Sequence, residues 1–447
     1  DCRYHFVHPE EVPVRYKQYH ISLTPKIERK DGLVSYLFER KNAPAIEIEP
    51  RTPPESRPIP RVVFGSTLGW DEIAPRAYRL MSGQIKESGK IKQISDNVAG
   101  KTKDSSMESM VKNMYYAVSQ GISYVAFEYG DNAWKPHTPD DVITNKYGDC
   151  KDGATLLVSL LRCRGIPSYQ VLLRTSGKGP LNKDMPYMGQ FDHCIACVPK
   201  PDGKGYWWLD TTTKMHAFGT VPAVDQGCEA LVLKGEEATF VTIPKSKMKD
   251  NCHETKMNLS LDKGTRARVT TSFSSTGMFK AQSMGEGYRM KILGKDKLQE
   301  QMRRSDPTFE LVRYENSLKS ELDLDAPFTA EIEYFSRNLL MDTGHALVFD
   351  LSKISPFRAF RFREERKFDY MASTRGVPHR NVIMGKMEIP AGFTVSDDGL
   401  PPQINRENNL AKIQRRVTRK GNTIEVYMEL GIKKPVVPVN EYHEFIG

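Results

Sequence analysis

Hydrophobic and polar positions change their spacing along the chain, and these changes predict three segments. Residues 1–65 contain short strand-like runs that are separated by polar turns. Residues 66–245 begin with helical spacing and continue with strand-like runs, which predicts an α+β layout. Residues 250–447 are mostly strand-like, with one helical pattern over 279–304, and they predict an antiparallel β-sandwich.

The first segment is predicted to be a β domain. Its clearest strand-like runs are 20–24, which alternates between apolar and polar residues, and 33–38, which is mostly apolar. Six prolines then fall within 44–60. Such a stretch is expected to be extended, and it forms a natural border before the first helix.

The middle segment is predicted to place helices on an antiparallel sheet. A helix over 70–80 carries Pro75 in its first turns, and a second helix over 105–119 carries a methionine stripe that we interpret as core. A short strand over 122–128 and a short helix over 139–146 come next. The predicted strands of the sheet are 168–174, 191–198, 205–210, 230–233 and 237–242.

The sequence between these helices and strands reads Tyr-Gly-Asp-Cys-Lys-Asp-Gly-Ala over 147–154. Asp149 is placed as a helix N-cap, and Asp152 completes a capping box three residues later. Cys150 then lies in the first helical turn, where the helix dipole and unpaired N–H groups favour a thiolate. Lys151 and Asp152 are interpreted either as a surface ion pair or as substrate contacts, with the dipole role favoured for Asp152. Leucines at helical spacing follow, at positions 156, 157, 160 and 161.

Composition excludes several classes of function. Among 447 residues, 39% are hydrophobic and 27% are charged, and the longest largely apolar run, 154–161, is far shorter than a membrane span of about 20 residues. The net charge of +9 is spread along the chain, which indicates a solvated surface rather than a nucleic-acid-binding face. The chain begins at Asp1 without a starter methionine, so we expect a processed product whose signal peptide would not be visible.

The cysteines indicate neither a disulfide framework nor a metal site. Seven cysteines at irregular spacing do not form an even set. Cys194 and Cys197 have a spacing that zinc can use, but on a strand they would point to opposite faces. Because the histidines show no paired ligand spacing either, we predict no metal and no cofactor.

Two downstream residues could act together with Cys150. His193 follows Cys150 by 43 residues on a predicted strand, and Asp210 follows His193 by 17 at the end of the next strand. Adjacent antiparallel strands could bring the two side by side, which is the arrangement that a cysteine nucleophile needs. Each residue also has a structural explanation: a buried small residue, a core histidine and a turn cap.

Three strings in the chain resemble a known family. Tyr147 to Asp152, Phe191 to His193, and Trp208 to Thr212 resemble the bacterial branch of the transglutaminase-like superfamily. The resemblance implies a papain-like core over 66–245 with a Cys150–His193–Asp210 triad. It also implies that 1–65 is the later part of a preceding β domain and that 250–447 is a following β domain. Proteins of this arrangement are typically exported by bacteria, which implies a periplasmic or cell-envelope location and a peptide or protein substrate.

The activity that this resemblance implies is acyl transfer on peptide or amide bonds. Asp149, Lys151 and Asp152 depart from the eukaryotic transglutaminase pattern, and no EF-hand calcium loop is visible. Hydrolysis, deamidation and transamidation therefore stay open. The alternative is a binding or scaffold protein around an unused core. For the oxyanion of the reaction, the candidate donors are the Cys150 backbone N–H and three side chains. Those three side chains are Gln120, Tyr124 and Trp134.

Overall fold

The chain divides into two compact units. The structure, a computed structural model, describes residues 1–104, 106–126, 129–318, 323–355, 363–374, 376–396 and 399–446. One unit contains Asp1–Lys214 and Val224–Pro244, and the other contains Met215–Ala223 and Lys245–Gly447. The domain borders near residues 65 and 250 stay predictions. None of the helices in the described ranges has the length and apolar content needed to cross a bilayer.

The first unit opens with five strands in two small antiparallel sheets, one ordered β1-β4-β3 and the other formed by β2 and β5. The strands are β1 (Cys2–Pro9), β2 (Val14–Tyr19), β3 (Lys26–Lys30), β4 (Leu33–Arg40) and β5 (Arg61–Ser66). The predicted strand at 33–38 is confirmed. The predicted strand at 20–24 is wrong, because His20 takes a left-handed backbone conformation (φ 54°) that ends β2 at Tyr19.

Five helices of the first unit follow. They are α1 (Trp70–Ser82), α2 (Gly89–Lys101), α3 (Met107–Gly121), α4 (Pro139–Asn145) and α5 (Cys150–Arg162). The predictions for α1, α3, α4 and α5 are confirmed, although Ser105 lies outside the described residues. The sequence analysis missed α2, which buries only Ile91 and Ser95 and so carries a weak apolar pattern. In contrast, α5 buries every residue from Cys150 to Leu161.

A five-stranded antiparallel sheet completes the first unit, with the order β10-β9-β8-β11-β12. Its strands are β8 (Tyr169–Leu173), β9 (His193–Pro199), β10 (Tyr206–Leu209), β11 (Glu229–Val232) and β12 (Thr239–Thr242). All five were predicted. A parallel bridge joins β6 (Ser123–Tyr124) to β7 (Tyr147–Gly148), directly before α5. The predicted strand at 122–128 is thus shorter than expected, and residues 127–128 lie outside the described residues.

The second unit is built on one eight-stranded sheet, ordered β15-β16-β14-β13-β20-β23-β22-β21. Two further pairs, β17 with β18 and β19 with β24, form small sheets of their own. The strands of the whole unit are β13 (Cys252–Lys263), β14 (Arg266–Ser275), β15 (Glu310–Asn316), β16 (Phe328–Ser336), β17 (Leu340–Asp342), β18 (Leu347–Phe349), β19 (Tyr370–Met371), β20 (His379–Glu388), β21 (Ile404–Glu407), β22 (Ala411–Lys420), β23 (Thr423–Ile432) and β24 (Val436–Val437). Its helices are α6 (Gly277–Arg303), which is kinked at Gly294, and α7 (Tyr442–Ile446).

The second unit confirms the predicted β-rich character but corrects its pairing. Strands β13 and β20 pair in parallel, whereas only antiparallel pairs were predicted. Parallel neighbours need a long crossover, and the described chain between the two strands passes through α6 and six other strands, β14 to β19, before it returns. The apolar side chains of the central strands pack with the hairpin β17–β18 into one buried cluster.

Candidate active site

Helix α5 begins at Cys150, and its first turn is held by the predicted capping box. The Asp149 carboxylate accepts hydrogen bonds from the backbone N–H groups of Lys151 (3.1 Å) and Asp152 (3.2 Å). The Asp152 carboxylate in turn accepts from the Asp149 N–H at 3.1 Å. These bonds satisfy donors that a helix start leaves unpaired. They fix Cys150 as the first helical residue, with 7% of its surface exposed.

The charged side chains beside Cys150 are buried, so the surface ion-pair interpretation of Lys151 and Asp152 is wrong. Lys151 is 4% exposed and donates to the Asp149 carboxylate. Asp152 is 2% exposed, and it accepts from His137 through the backbone N–H (2.8 Å) and lies 3.0 Å from His137 Nδ1. Asp152 therefore attaches the segment before α4 to the start of α5. Burial raises the pKa of Asp149, although the hydrogen bond from Lys151 opposes the rise.

Glycines let the start of α5 approach its neighbours closely. A Cβ at Gly148 would lie 2.8 Å from the Asp152 Cβ, and a Cβ at Gly153 would lie 2.4 Å from Thr211 Oγ1. Thr211 directly follows Asp210, so Gly153 sets how near the cysteine helix comes to the aspartate. The absence of a side chain at 153 is thus part of the site geometry.

Replacing Gly153 with alanine is expected to destabilise the protein by about 1–3 kcal/mol, because the new methyl group overpacks against Thr211. Chemical denaturation would measure the change. Gly100→Ala is a matched control, since its Cβ meets nothing within 4 Å and helix propensity alone should stabilise it by up to about 1 kcal/mol. Adding Thr211→Ala to Gly153→Ala should restore part of the loss. Equal effects at the two glycines would contradict this account.

His193 is the first residue of β9, and the chain before it is fixed by a side-chain clamp. Asp192 accepts from the Thr175 backbone N–H (2.7 Å) and from Thr175 Oγ1 (2.6 Å). Strand β9 then pairs with β10, in which Leu209 lies opposite Ala196. Asp210 directly follows Leu209, at the end of β10 that lies beside the start of β9, where His193 is the first residue.

The structure places the side chains of Cys150, His193 and Asp210 together. His193 Nε2 lies 3.3 Å from Asp210 Oδ2, and the Cys150 thiol is close enough to the imidazole to raise the pKa of His193. The other oxygen of Asp210 accepts from the backbone N–H (2.8 Å) and the hydroxyl (2.7 Å) of Thr212. Tyr115 on α3 donates to the Asp210 backbone carbonyl at 3.0 Å. Asp210 is 1% exposed, and these contacts engage both its carboxylate oxygens and its backbone carbonyl.

The electrostatics of this group favour an imidazolium beside an ionised carboxylate. Burial alone would lower the pKa of His193, but its hydrogen bonds with Asp210 and Cys150 outweigh burial and raise the pKa to about 11. Burial alone would likewise raise the pKa of Asp210. The hydrogen bond and charge of His193, together with the Thr212 donors, instead hold the pKa of Asp210 below its ordinary value.

A fourth residue in this group, Asp225, was missed by the sequence analysis. It lies in the turn before β11, and it is fully buried. One side-chain atom from each of Asp225, Asp210 and His193 falls within a cluster whose members are at most 4.8 Å apart. Although a metal ion can use such spacing, the contact between His193 and Asp210 already engages two of the three atoms.

The three predicted oxyanion donors have different surroundings. The Gln120 side-chain amide donates to the Lys214 carbonyl at 2.6 Å, so it is already engaged. Tyr124 is 50% exposed, and in the β6–β7 bridge it lies opposite Gly148, which precedes Cys150 by two residues. Trp134 ends a short 3₁₀ turn and is half-buried. Their roles stay predictions.

Comparison with known proteins gives two matches to family models. A model described as the transglutaminase-like superfamily matches residues 92–217, the range that contains Cys150, His193 and Asp210. A second model, described as DUF3858, a domain of unknown function with a solved structure, matches residues 345–446. No curated protein matches the chain.

Solved structures add a likeness of fold. A candidate protease from Parabacteroides distasonis matches with a TM-score of 0.59 and 15% identity, over 99% of this chain and 68% of that protein. A candidate cysteine protease from Cytophaga hutchinsonii gives a TM-score of 0.22 and 12% identity, over 46% and 66%. Red sea bream transglutaminase gives a TM-score of 0.21 and 9% identity, over 61% of this chain and 67% of that protein. The first match confirms the α+β fold, and the family model over 92–217 identifies its core as transglutaminase-like, with β-sheets on either side in the chain.

Proposed function

Residues 92–217 belong to the transglutaminase-like superfamily, and from this premise we propose that the protein is a cysteine-dependent acyl-transfer enzyme acting on peptide or amide bonds. The observation that carries the proposal is the contact chain from the Cys150 thiol through His193 to the Asp210 carboxylate. In this proposal Cys150 is the nucleophile, His193 is the general acid and base, and Asp210 orients His193.

The reaction begins with attack by the Cys150 sulfur on the carbonyl carbon of the substrate. The C–N bond then breaks, and the proton held by His193 passes to the departing amine or ammonia. This leaves a thioester on Cys150. Water or an amine cleaves the thioester, its proton returns to His193, and the sulfur leaves as the thiolate. Asp210 keeps the His193 ring in place through both steps, as imidazolium and as neutral imidazole, because its Oδ2 faces Nε2 at 3.3 Å.

The negative oxygen formed during each step needs hydrogen-bond donors. The Cys150 N–H is at the first position of α5, where no carbonyl of the helix can accept from it. Tyr124 and Trp134 remain the side-chain donors that we propose, because the amide of Gln120 is engaged by Lys214. The positive end of the α5 dipole favours the same charge.

The choice between hydrolysis, deamidation and transamidation depends on the acyl acceptor. We propose a peptide or protein substrate, and the export implied by the sequence resemblance would make it a component of the bacterial cell envelope. The alternative remains a binding or scaffold protein whose core does not turn over.

Profiling a peptide library with three readouts would test the proposal. Peptide cleavage, ammonia release and incorporation of an added amine distinguish the three reactions. We expect at least one product from the wild-type protein and none from Cys150→Ala, because no other group replaces the sulfur nucleophile. Cys163→Ala is the matched control, since Cys163 caps the far end of the same helix and should leave the product unchanged. Products that persist in Cys150→Ala, or no product at all from a broad library, would favour the scaffold alternative.

A further inference from the structure

The turn that carries Asp225 is fixed by backbone hydrogen bonds on both sides. The carbonyl of Val224 accepts from the Ser176 N–H at 2.8 Å, and the Gly227 N–H donates to the Ile243 carbonyl at 2.8 Å. The sheet order then explains its position, because β11 lies beside β8 and β8 lies beside β9. This places the Asp225 side chain near the start of β9, whose first residue is His193.

The carboxyl group of Asp225 lacks the hydrogen-bond donors that a buried anion needs. It has no exposed surface, and among the described residues neither of its oxygens has a donor within hydrogen-bonding distance. Asp210 differs in this respect, because Thr212 gives it two donors and His193 faces its other oxygen. An ionised carboxylate without donors is strongly disfavoured when it is buried.

Two neighbouring carboxyl groups in a buried site share a charge unequally. Asp210 has the donors and the imidazolium, so it keeps the negative charge, and Asp225 takes the proton. A carboxyl group can hydrogen-bond with another only if one of them is protonated. The Asp210 carboxylate is the acceptor that we consider, because one atom of each carboxyl group belongs to a cluster no more than 4.8 Å across and the two groups interact electrostatically.

We propose that Asp225 is a positioning residue, which donates a hydrogen bond from its protonated carboxyl group to Asp210 and so holds Asp210 against His193. The inference rests on the proposed function of the triad, because it gives Asp225 a role in that reaction. Asp225 does not touch the substrate in this account. It acts through Asp210, as Asp210 acts through His193.

Other groups around Asp225 support this protonation. Burial and the charge of Asp210 raise the pKa of Asp225 to about 7, the positive charge of His193 opposes the rise, and Asp192 adds to it. Another titratable neighbour is Tyr115, whose pKa is raised by burial and by the charge of Asp210, so it stays neutral. Below about pH 7, Asp225 therefore holds its proton.

The raised pKa has a consequence for stability that needs no substrate to be measured. The folded protein keeps a proton on Asp225 that the unfolded chain releases near the ordinary value of 3.8. Stability therefore falls as the pH rises from about 4 to about 7. Asp225→Asn cannot ionise and presents an N–H to Asp210 in place of the O–H. Its melting temperature, relative to wild type, should therefore rise across this pH range.

The test compares melting temperature from pH 4 to pH 8 and the rate of Cys150 alkylation by iodoacetamide at pH 6. Asp225→Asn should gain stability relative to wild type as the pH rises and keep the wild-type alkylation rate. Asp225→Ala should alkylate about fivefold more slowly, because one hydrogen bond to Asp210 is lost. Asp202→Asn, at an exposed turn of the same sheet, is the control. Its melting temperature should change with pH as that of the wild-type protein does, and its alkylation rate should equal the wild-type rate.

The outcomes separate this inference from the proposed function. If wild-type Cys150 alkylates readily but Asp225→Asn and wild type change in parallel with pH, the role of Asp225 is wrong and the triad stands. Equal alkylation rates in Asp225→Ala and Asp225→Asn would also overturn the positioning role. If Cys150 does not react in the wild-type protein, the proposed function fails first.

Discussion

The His193→Gln variant is expected to lose activity on the order of 10⁴-fold in kcat/KM, because it removes the proton carrier that both chemical steps need. Glutamine is chosen because its amide can still donate to Asp210 Oδ2, the buried oxygen that faces His193 and would otherwise lose this partner. The fold should therefore be retained, and the loss of activity can be assigned to the chemistry. Any substrate found by library profiling serves for the measurement.

The same variant can be examined without a substrate. The pKa of His193 is about 11, so the imidazolium persists throughout the neutral range and keeps its positive charge beside the Cys150 sulfur. Alkylation of Cys150 by iodoacetamide should then vary little between pH 5 and pH 8 in the wild-type protein. In His193→Gln the rate should be lower at pH 5 and should follow the steep pH dependence of a small-molecule thiol.

His20→Ala provides the matched control, because His20 is an exposed histidine of the same unit. It should leave both turnover and alkylation at wild-type values. The account fails if His193→Gln keeps most of the activity, or if its alkylation profile overlays that of the wild-type protein while the two melt at the same temperature.

The Asp152→Ala variant is expected to have the largest effect on stability among the residues of the site, about 3 kcal/mol. Asp152 accepts three hydrogen bonds, from the Asp149 N–H, the His137 N–H and the His137 ring. Alanine would leave buried donors without acceptors, and each such loss costs about 1–3 kcal/mol. It would also detach the segment around Trp134 from the start of α5.

Chemical denaturation would measure the stability, and limited proteolysis would report on residues 129–138. We expect faster cleavage within this segment in Asp152→Ala. Asp152→Asn should be less destabilised, because it keeps one acceptor oxygen. Asp131→Ala, an exposed position in the same segment, should stay within about 0.5 kcal/mol of wild type. A similarly small change in Asp152→Ala would show that Asp152 does not hold this segment.

The parts of the site that depend on neighbours in the chain could be predicted from the sequence. The capping box at Asp149 and Asp152 spans four residues, and the leucines of α5 repeat at helical spacing, so both have local signals. The placement of His193 and Asp210 on adjacent strands follows from two short strands with a turn between them. Each of these inferences needs only a short stretch of sequence.

The parts that were missed depend on tertiary structure or on one backbone angle. Helix α2 has two buried positions, too few for a clear period. The end of β2 depends on a positive φ at His20, which stays uncommon for a residue other than glycine even though histidine adopts it more often than most. Asp225 follows Asp210 by 15 residues with no motif between them. It reaches the site because β11 pairs with β8, which the sequence does not specify.

The contact between Gly153 and Thr211 has a consequence for attempts to redesign this protein. With a single hydrogen as the spacer, the helix that carries the sulfur and the strand end that carries the carboxylate share one fixed gap. A library that tests the predicted oxyanion donors can vary Tyr124 and Trp134 without changing that gap. Positions 153 and 211 should instead be changed only as a pair, since enlarging one side chain alone would push the start of α5 away from Asp210.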